Sequence, residues 1–288
     1  MLSLAGMAVV VVMVFGGYLL AGGKFGVIIA ALPFEMMMIG GAAVGAFLIA
    51  NDMPTIKKAG AGVMQVIKGP RWKADDYRDL LCLLYALIRI SRKDAVALEE
   101  HIERPNDSSL FQAYPNILAD STATTMICDT FRLTAMNFDD PHQLEDLLEK
   151  QLEAKHKKAL HGAEAMQTTA DGLPALGIVA AVLGIIKTMS SIDQPPTVLG
   201  KMIGGALVGT FLGVFLAYGF VGPLAGRMKA IVEADHHFYA LIKDTLVANL
   251  QRHSPQICVE VARQNVSAPL RPGFDALDEA LKSTAEAA

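Results

Sequence analysis

The fold is decided by two apolar stretches, LPALGIVAAVLGIIKTMSSI (residues 173–192) and MIGGALVGTFLGVFLAYGFVGPLAG (residues 202–226). Each approaches or exceeds the roughly 20 residues that a helix needs to cross a bilayer. In the second stretch, small residues recur every four positions, at Gly205, Gly209, Gly213 and Ala217. Because residues four apart share one helix face, this pattern predicts close packing against a neighbouring membrane helix.

Two further apolar stretches, at about residues 1–22 and 33–51, complete a set of four predicted membrane spans. Hydrophobic residues make up 52% of the 288 residues, which is too many for an average soluble protein. The charged segments, however, are too long for a chain that lies wholly in the membrane. We therefore predict an all-α integral membrane protein with four transmembrane helices and a helical cytoplasmic domain, with long helices extending from spans three and four.

The predicted organisation alternates between membrane and water. A transmembrane hairpin (1–51) precedes a cytoplasmic helical domain (52–172), and a second hairpin (173–226) precedes cytoplasmic C-terminal helices and a tail (227–288). Lys and Arg cluster after the second and fourth spans, as they do in cytoplasmic loops. Both termini are therefore predicted to be cytoplasmic.

Several cytoplasmic helices are also predicted. Aspartates that can cap a helix precede residues 141–170, which can run directly into the third span, and a matching helix covers residues 227–252. Residues 74–93 begin with acids, end with bases and repeat leucine at helical spacing, which indicates a helix with one buried face. The Ala-rich, acidic end after Arg271 is expected to be weakly ordered.

Acidic residues are nearly absent from the predicted spans. Glu35 is the only one, and because Pro33 precedes it we assign it to the outer start of the second span, as an interfacial residue. Ion carriage across a membrane usually needs an ionisable group at depth. A tightly packed bundle without such a group predicts a protein that works with a partner.

Other chemistry is not indicated. Cys82, Cys128 and Cys258 have no CxxC spacing and fall in cytoplasmic segments, so we predict reduced, buried thiols without a disulfide or zinc site. His236 and His237 are adjacent and cannot both face one metal on a helix. The net charge of −4 is spread along the chain, which argues against nucleic-acid binding. No GxSxG, HExxH or P-loop motif suggests an enzyme, and no cofactor is predicted.

Charged residues concentrate after residue 88. The cluster comprises Arg89, Arg92, Lys93, Glu99, Glu100 and Glu103. Two interpretations are open. Exposed charge pairs contribute only about 0 to 1 kcal/mol, so the cluster can be a solvated face, but concentrated in one connection it can also steer a charged partner.

The chain resembles the MotA family of flagellar stator subunits, part of the MotA/TolQ/ExbB proton channel group. The resemblance rests on the motifs VFGGYLLAGG, RISRKDAVALEEHIERP, YPNILADS, LPALGIVAAVLG and GTFLGVFLAYGFVGPLA. It implies a multi-pass protein of the bacterial inner membrane that forms a homo-oligomer, a pentameric ring around a MotB dimer. MotB would supply the proton-binding aspartate that this chain lacks, and the complex would exert torque on the rotor protein FliG.

By this resemblance, four residues belong to the proton path and its coupling to movement. Pro174 and Pro223 match the family prolines at the cytoplasmic ends of spans three and four, and Thr210 matches the pore-facing threonine of GTFLG. Ala181 stands where sodium-driven relatives carry a threonine, so its lack of an oxygen favours protons. The MotB aspartate would face Pro174, Ala181 and Thr210.

The resemblance also implies the residues that meet the rotor. Arg92 and Glu99 match the charged pair that engages FliG. The segment between them is one residue shorter here than in the best-known relatives, so Glu100 can take the place of Glu99. Torque would then follow from neutralising the buried aspartate of MotB, which changes how its helix packs and turns the ring.

Two alternatives stay open at this point. A TolQ- or ExbB-like energiser would use similar third and fourth spans to drive an envelope process, although those relatives usually have three spans. A non-conducting membrane scaffold would explain the small-residue packing without ion flow. The scaffold predicts that polar replacement of Thr210 or Ala181 leaves function intact.

Overall fold

The computed structural model describes residues 2–287, and every regular element among them is helical. The predicted all-α class is therefore confirmed. The chain folds into two compact units. The first comprises the chain up to Gly69 together with Lys158–Val232, and the second comprises Pro70–Lys157 together with the residues from Glu233 onward.

The first unit is built mainly from membrane-type helices. Its elements are α1 (Leu2–Leu20), α2 (Gly26–Ala50), α3 (Met53–Lys68), the C-terminal part of α9 (Pro141–Met189), α10 (Pro196–Leu216), a π-helical segment (Ala217–Val221) and the start of α11 (Gly222–Leu250). Four helices of the described chain are long and apolar enough to cross a membrane, as predicted. Helix α9 is also continuous with the third span, as predicted.

The start of the second span was predicted wrongly. Helix α2 begins at Gly26 rather than at residue 33, and Pro33 lies inside it. The residues from 26 to 32 are apolar and extend the helix, and membrane helices tolerate an internal proline when neighbouring groups satisfy the backbone. Glu35 consequently lies about 13 Å along the helix from Gly26, at 1.5 Å per residue.

The second span pair differs from the prediction only at its ends. Helix α9 stops at Met189 instead of 192, and α10 starts at Pro196 instead of 202. Proline suits the first turn of a helix because its missing N–H would have no helical partner there. The helix therefore begins where the chemistry of Pro196 permits it, before the strongly apolar run.

The second unit is a cluster of shorter helices around α4. Besides the remaining parts of α9 and α11, it contains α4 (Ala74–Lys93), α5 (Ala95–Glu103), α6 (Ser109–Gln112), α7 (Pro115–Leu118), α8 (Ser121–Ala135), α12 (Pro255–Asn265) and α13 (Phe274–Ala287). Helix α4 was predicted to bury one face, but every residue from Leu80 to Ile88 is buried. Helices α12 and α13 pack against α4 and cover it further.

The C-terminal tail is therefore not weakly ordered, contrary to the prediction. Helix α13 buries Leu277 and Leu281 in the core that surrounds α4. Alanines and acids between these leucines give the segment a low mean hydropathy, which suggested disorder. Two leucines four residues apart are nevertheless enough to hold one face of a helix against an existing core.

Candidate functional site

Helices α9 and α10 approach each other until their backbones touch. A Cβ atom added to Gly213 would lie 2.7 Å from the carbonyl oxygen of Leu173 and 2.9 Å from the Cα atom of Gly177. A Cβ on Gly177 would lie 2.8 Å from the carbonyl oxygen of Gly209. Real side chains do not fit at such distances, so the predicted close packing is confirmed at Gly213. It is not found at Gly205, where an added Cβ would have only an ordinary contact with the Cβ atom of Ala31, at 3.9 Å.

One turn before Gly213 on α10, Gly209 lies against Glu35, the only acid of the predicted spans. A Cβ on Gly209 would lie 2.6 Å from Glu35 Oε2 and 3.2 Å from the backbone nitrogen of Ala181. Glu35 is 5% exposed and Ala181 is 6% exposed. Helices α2, α9 and α10 thus bring Glu35 and Ala181 to the same face of Gly209.

Glu35 is therefore not the interfacial residue that we predicted. It lies inside α2, and among residues 2–287 its Oε2 atom has no hydrogen-bond partner. The prediction failed because Pro33 suggested a helix start, whereas the environment of the carboxyl group is set by Gly209, which comes much later in the chain. The sequence contained only one sign that Glu35 is buried, namely that an acid is rare within an apolar run.

Thr210 is adjacent to this contact. Its side chain is half-buried, and no hydrogen bond involves its hydroxyl group within the described chain. Thr188 on α9, by contrast, donates to the carbonyl oxygen of Gly184 at 2.9 Å. The hydroxyl of Thr210 is therefore not used within the described chain, and Thr210 directly follows Gly209, which lies beside Ala181.

The two prolines lie apart from this contact. Pro174 is half-buried and lies inside α9 without interrupting it, next to Leu173, whose carbonyl faces Gly213. Pro223 is exposed and lies in the first turn of α11. The structure thus brings Ala181 and Thr210 to one place, while Pro174 and Pro223 mark the neighbouring helix segments.

A π-helical segment that sequence analysis missed ends two residues before Pro223. Over Ala217–Val221 the helix widens, and the N–H of Gly222 donates to the carbonyl oxygen of Ala217, five residues back. Pro223 has no N–H with which to continue the α-helical ladder, so a wider turn accommodates it. Such π turns are common at functional sites. The sequence feature that could have indicated this one is a proline inside a long helical pattern.

The predicted rotor residues lie in the second unit, and Arg92 already has partners there. Its Nη2 and Nε atoms donate to Asn249 Oδ1 at 2.7 and 3.2 Å, and Nη2 also donates to the carbonyl oxygen of His253. The guanidinium group is exposed, yet it joins the end of α4 to the end of α11. Arg92 therefore has a structural role that the sequence did not reveal.

The acidic residues of α5 divide into paired and unpaired ones. Glu103 accepts a hydrogen bond from Arg132 Nε at 2.6 Å, and this bond raises the pKa of the Arg132 guanidinium. Glu99 and Glu100 are both exposed, and neither has an ion pair within the described residues. The carboxylates available to an outside partner are thus Glu99 and Glu100.

Comparisons with known proteins indicate one family for both units of the chain. Residues 4–95 match the family model described as motility protein A N-terminal, and residues 119–239 match that of the MotA/TolQ/ExbB proton channel family. The motility protein A of Salmonella typhimurium is 37% identical over 284 residues, which cover 98% of this chain and 96% of the relative. That of Escherichia coli has the same identity and coverage, and the chemotaxis protein LafT of Vibrio parahaemolyticus is 36% identical over 275 residues, or 95% of this chain and 96% of LafT.

Solved structures resemble the fold. The C. jejuni MotAB structure matches with a TM-score of 0.74 at 19% identity, and the flagellar MotAB stator complex of Bacillus subtilis matches with a TM-score of 0.72 at 20% identity. In both cases the match covers 94% of this chain and 98% of the other. At these identities the match concerns the fold alone.

Proposed function

Because this chain belongs to the motility protein A family, we propose that it is the stator subunit through which proton flow drives a flagellar rotor. Its role is that of a motor stator and proton channel subunit, not of an enzyme. It is a membrane protein with several apolar helices. Its match to the motility protein A N-terminal model over residues 4–95 and its four membrane-capable helices favour a stator over a TolQ- or ExbB-like energiser with three spans.

The observation that carries this proposal is the backbone contact between α9 and α10. The contact at Gly209, the residue before Thr210, lies beside Ala181, and Glu35 is the only acid within the predicted spans. Such a wall offers a slot for a further helix, but neither the apolar part of α9 from Leu173 onward nor α10 carries a carboxylate. The solved relatives are MotAB complexes, which supports a MotB-like partner that brings the proton-binding aspartate to this slot.

The mechanism follows from the energy of a charge at membrane depth. An ionised aspartate there costs about 2.5 to 3.5 kcal/mol or more, so binding a proton removes a penalty of that size. Two helix packings that differ by a few kcal/mol can exchange populations on such a change. Pro174 and the π-helical segment before Pro223 lie where the helices lack regular hydrogen bonds, and we assign the bending to them.

Ala181 and Thr210 favour protons over sodium ions. A sodium ion needs several oxygen ligands, whereas a proton needs one acceptor. Ala181 offers only a methyl group, and Thr210 contributes one hydroxyl. Both termini are assigned to the cytoplasm on the Lys and Arg distribution, and the subunits are assigned to a pentameric ring around two MotB helices by family resemblance.

The surface proposed to meet the rotor protein FliG lies at the end of α4 and on α5. Glu99 and Glu100 are exposed and unpaired within the described chain, and we assign acidic contacts to them. Arg92 presents an exposed guanidinium nearby in sequence, which is held by Asn249 and His253. A charge reversal at Arg92 would change both the surface potential and this internal tie.

The proposal is tested by co-expressing the chain with the MotB-like protein of the same cell in a strain without its own stators. Proton influx and swimming are measured for wild type, for an aspartate-to-asparagine change in the partner and for Arg92→Glu. We expect the first change to abolish influx and the second to impair swimming while assembly persists. If both variants swim and conduct like wild type, the stator function is wrong and a scaffold is favoured.

Arg92→Ala serves as the matched control for Arg92→Glu, because it removes the same tie to Asn249 without reversing the charge. If the two variants impair swimming equally, the tie accounts for the effect. If Arg92→Glu is clearly worse, the charge that faces the rotor accounts for it.

A further inference from the structure

We propose that Glu35 is a second proton-binding site of the stator, located in this chain and loaded from a cavity on the side assigned to the outside. The inference rests on the proposed function. It adds a carboxyl group that takes up a proton before the proton reaches the aspartate of the partner. The observations that carry it are the burial of the carboxyl, its unpaired oxygen and the cavity beside it.

The burial of Glu35 determines its protonation state. The residue is 5% exposed, and Oε2 has no hydrogen-bond partner among residues 2–287. An ionised carboxylate without donors is costly in apolar surroundings, while a neutral acid loses much less. Burial therefore favours a proton on this group at rest.

A cavity leads to the carboxyl group. It has a volume of about 850 Å³, lies between α2, α9 and α10, and includes Glu35 in its wall. Its other ionisable lining residues are Lys24, Lys187 and Lys201, in or beside the loops assigned to the outside. A cavity of this size has room for several water molecules, which can bring a proton to the acid.

None of these lysines pairs with Glu35 Oε2, which has no hydrogen-bond partner among the described residues. Lys201 is eight residues from Gly209 along α10, which corresponds to about 12 Å, and Lys187 is six residues from Ala181 along α9, or about 9 Å. The surroundings of Glu35 therefore favour the neutral acid, and release of its proton requires an acceptor such as the aspartate of the partner.

The position of Glu35 next to Gly209 connects the cavity to the proposed path. Its Oε2 atom touches the α10 backbone at the residue before Thr210, and Ala181 flanks the same contact. A hydronium ion in the cavity would protonate the Glu35 carboxylate and leave as water. The carboxylic acid would then pass this proton toward the aspartate of the partner, and Glu35 would become ionised as that aspartate becomes neutral.

The proposal is tested first by chemical labelling. Dicyclohexylcarbodiimide reacts with protonated carboxyl groups in apolar surroundings, so membranes that contain the assembled complex are treated with it and the peptides are analysed by mass spectrometry. The partner carries its aspartate-to-asparagine change so that it does not compete for the reagent. We expect an adduct on Glu35 that decreases as the pH is raised, no adduct in Glu35→Gln, and none on the exposed Glu153 of α9.

Proton influx is measured second, with the wild-type partner. We expect Glu35→Gln to lower influx several-fold and Glu35→Asp, which keeps an acid, to retain most of it, while both variants still co-purify with the partner. An unlabelled Glu35 in an assembled complex would overturn the proposal. So would labelling combined with unchanged influx in Glu35→Gln, and if influx then still depended on the partner's aspartate, the stator function would stand without a second site.

Discussion

At the scale of single residues, the contact between α9 and α10 depends on glycine hydrogens where other residues carry a methyl group. We expect Gly213→Ala to destabilise the protein by about 1–3 kcal/mol, because the added Cβ would meet the backbone at Leu173 and Gly177, which cannot move aside as a flexible side chain can. The unfolding temperature in detergent measures the change. Gly205→Ala is the matched control, since its nearest neighbour would be the Cβ of Ala31 at 3.9 Å, an ordinary contact distance.

Substitutions at Thr210 distinguish an ion-conducting protein from a non-conducting scaffold. We expect Thr210→Val, which keeps the shape but removes the hydroxyl, to lower proton influx, and Thr210→Ser, which keeps the hydroxyl, to retain most of it. Influx is measured in cells that contain equal amounts of assembled complex. Equal influx in wild type and Thr210→Val would show that the hydroxyl takes no part in conduction.

Burial of Cys128 is expected to lower the stability of the folded protein at alkaline pH. The thiol is 2% exposed, and burial raises its pKa from 9 to about 11. The folded state therefore holds this proton when the unfolded chain has lost it, and stability falls as the pH rises from 9 to about 11, by about 3 kcal/mol at most, since each pKa unit corresponds to about 1.4 kcal/mol. Thermal unfolding across this range, compared with Cys128→Ala, isolates the effect, and equal slopes for both proteins would contradict it.

At the scale of elements, α13 connects the end of the chain to the core of the second unit. Leu277 is 3% exposed, so we expect Leu277→Ala to lower the free energy of unfolding by about 2–5 kcal/mol. Chemical denaturation of the complex measures it, with the exposed Lys282→Ala as the control. A weakly ordered tail would make both substitutions silent.

The elements that sequence predicts well are those whose signals are local. The four apolar runs, the aspartate before α9 and the charge pattern of α4 could each be found within a short window. The start of α2 could not, because Pro33 alone does not reveal whether neighbouring groups compensate for its missing N–H. The full burial of α4 and the environment of Glu35 depend on α12, α13 and Gly209, which lie far away in the chain.

The same distinction applies to the candidate site. Ala181, Thr210 and both prolines could be identified by family resemblance, since each lies in a continuous motif. The tie from Arg92 to Asn249 and the pairing of Glu103 with Arg132 could not, because each joins residues from different helices. Their discovery changes how charge substitutions on α4 and α5 are interpreted.

At the scale of the whole molecule, the first unit leaves many large apolar side chains uncovered. Examples are Val9, Met13, Met37, Ile49 and Leu207, all more than half exposed. Lipid and further copies of the chain are the surroundings that suit such a surface. We expect native mass spectrometry of the co-expressed complex to give five copies of this chain with two of the partner, and a stable single copy would contradict the ring.

The π-helical segment also has a consequence for the phase of the helix. A π turn accommodates one more residue than an α turn, and one residue corresponds to about 100° of rotation. The line of small residues that ends at Ala217 is therefore not continued by the residues that follow Gly222, and the two helical segments present their faces independently. Removing one residue between them would restore a single phase and rotate every later side chain about the axis, so the length of this segment is as much a constraint on the protein as its composition.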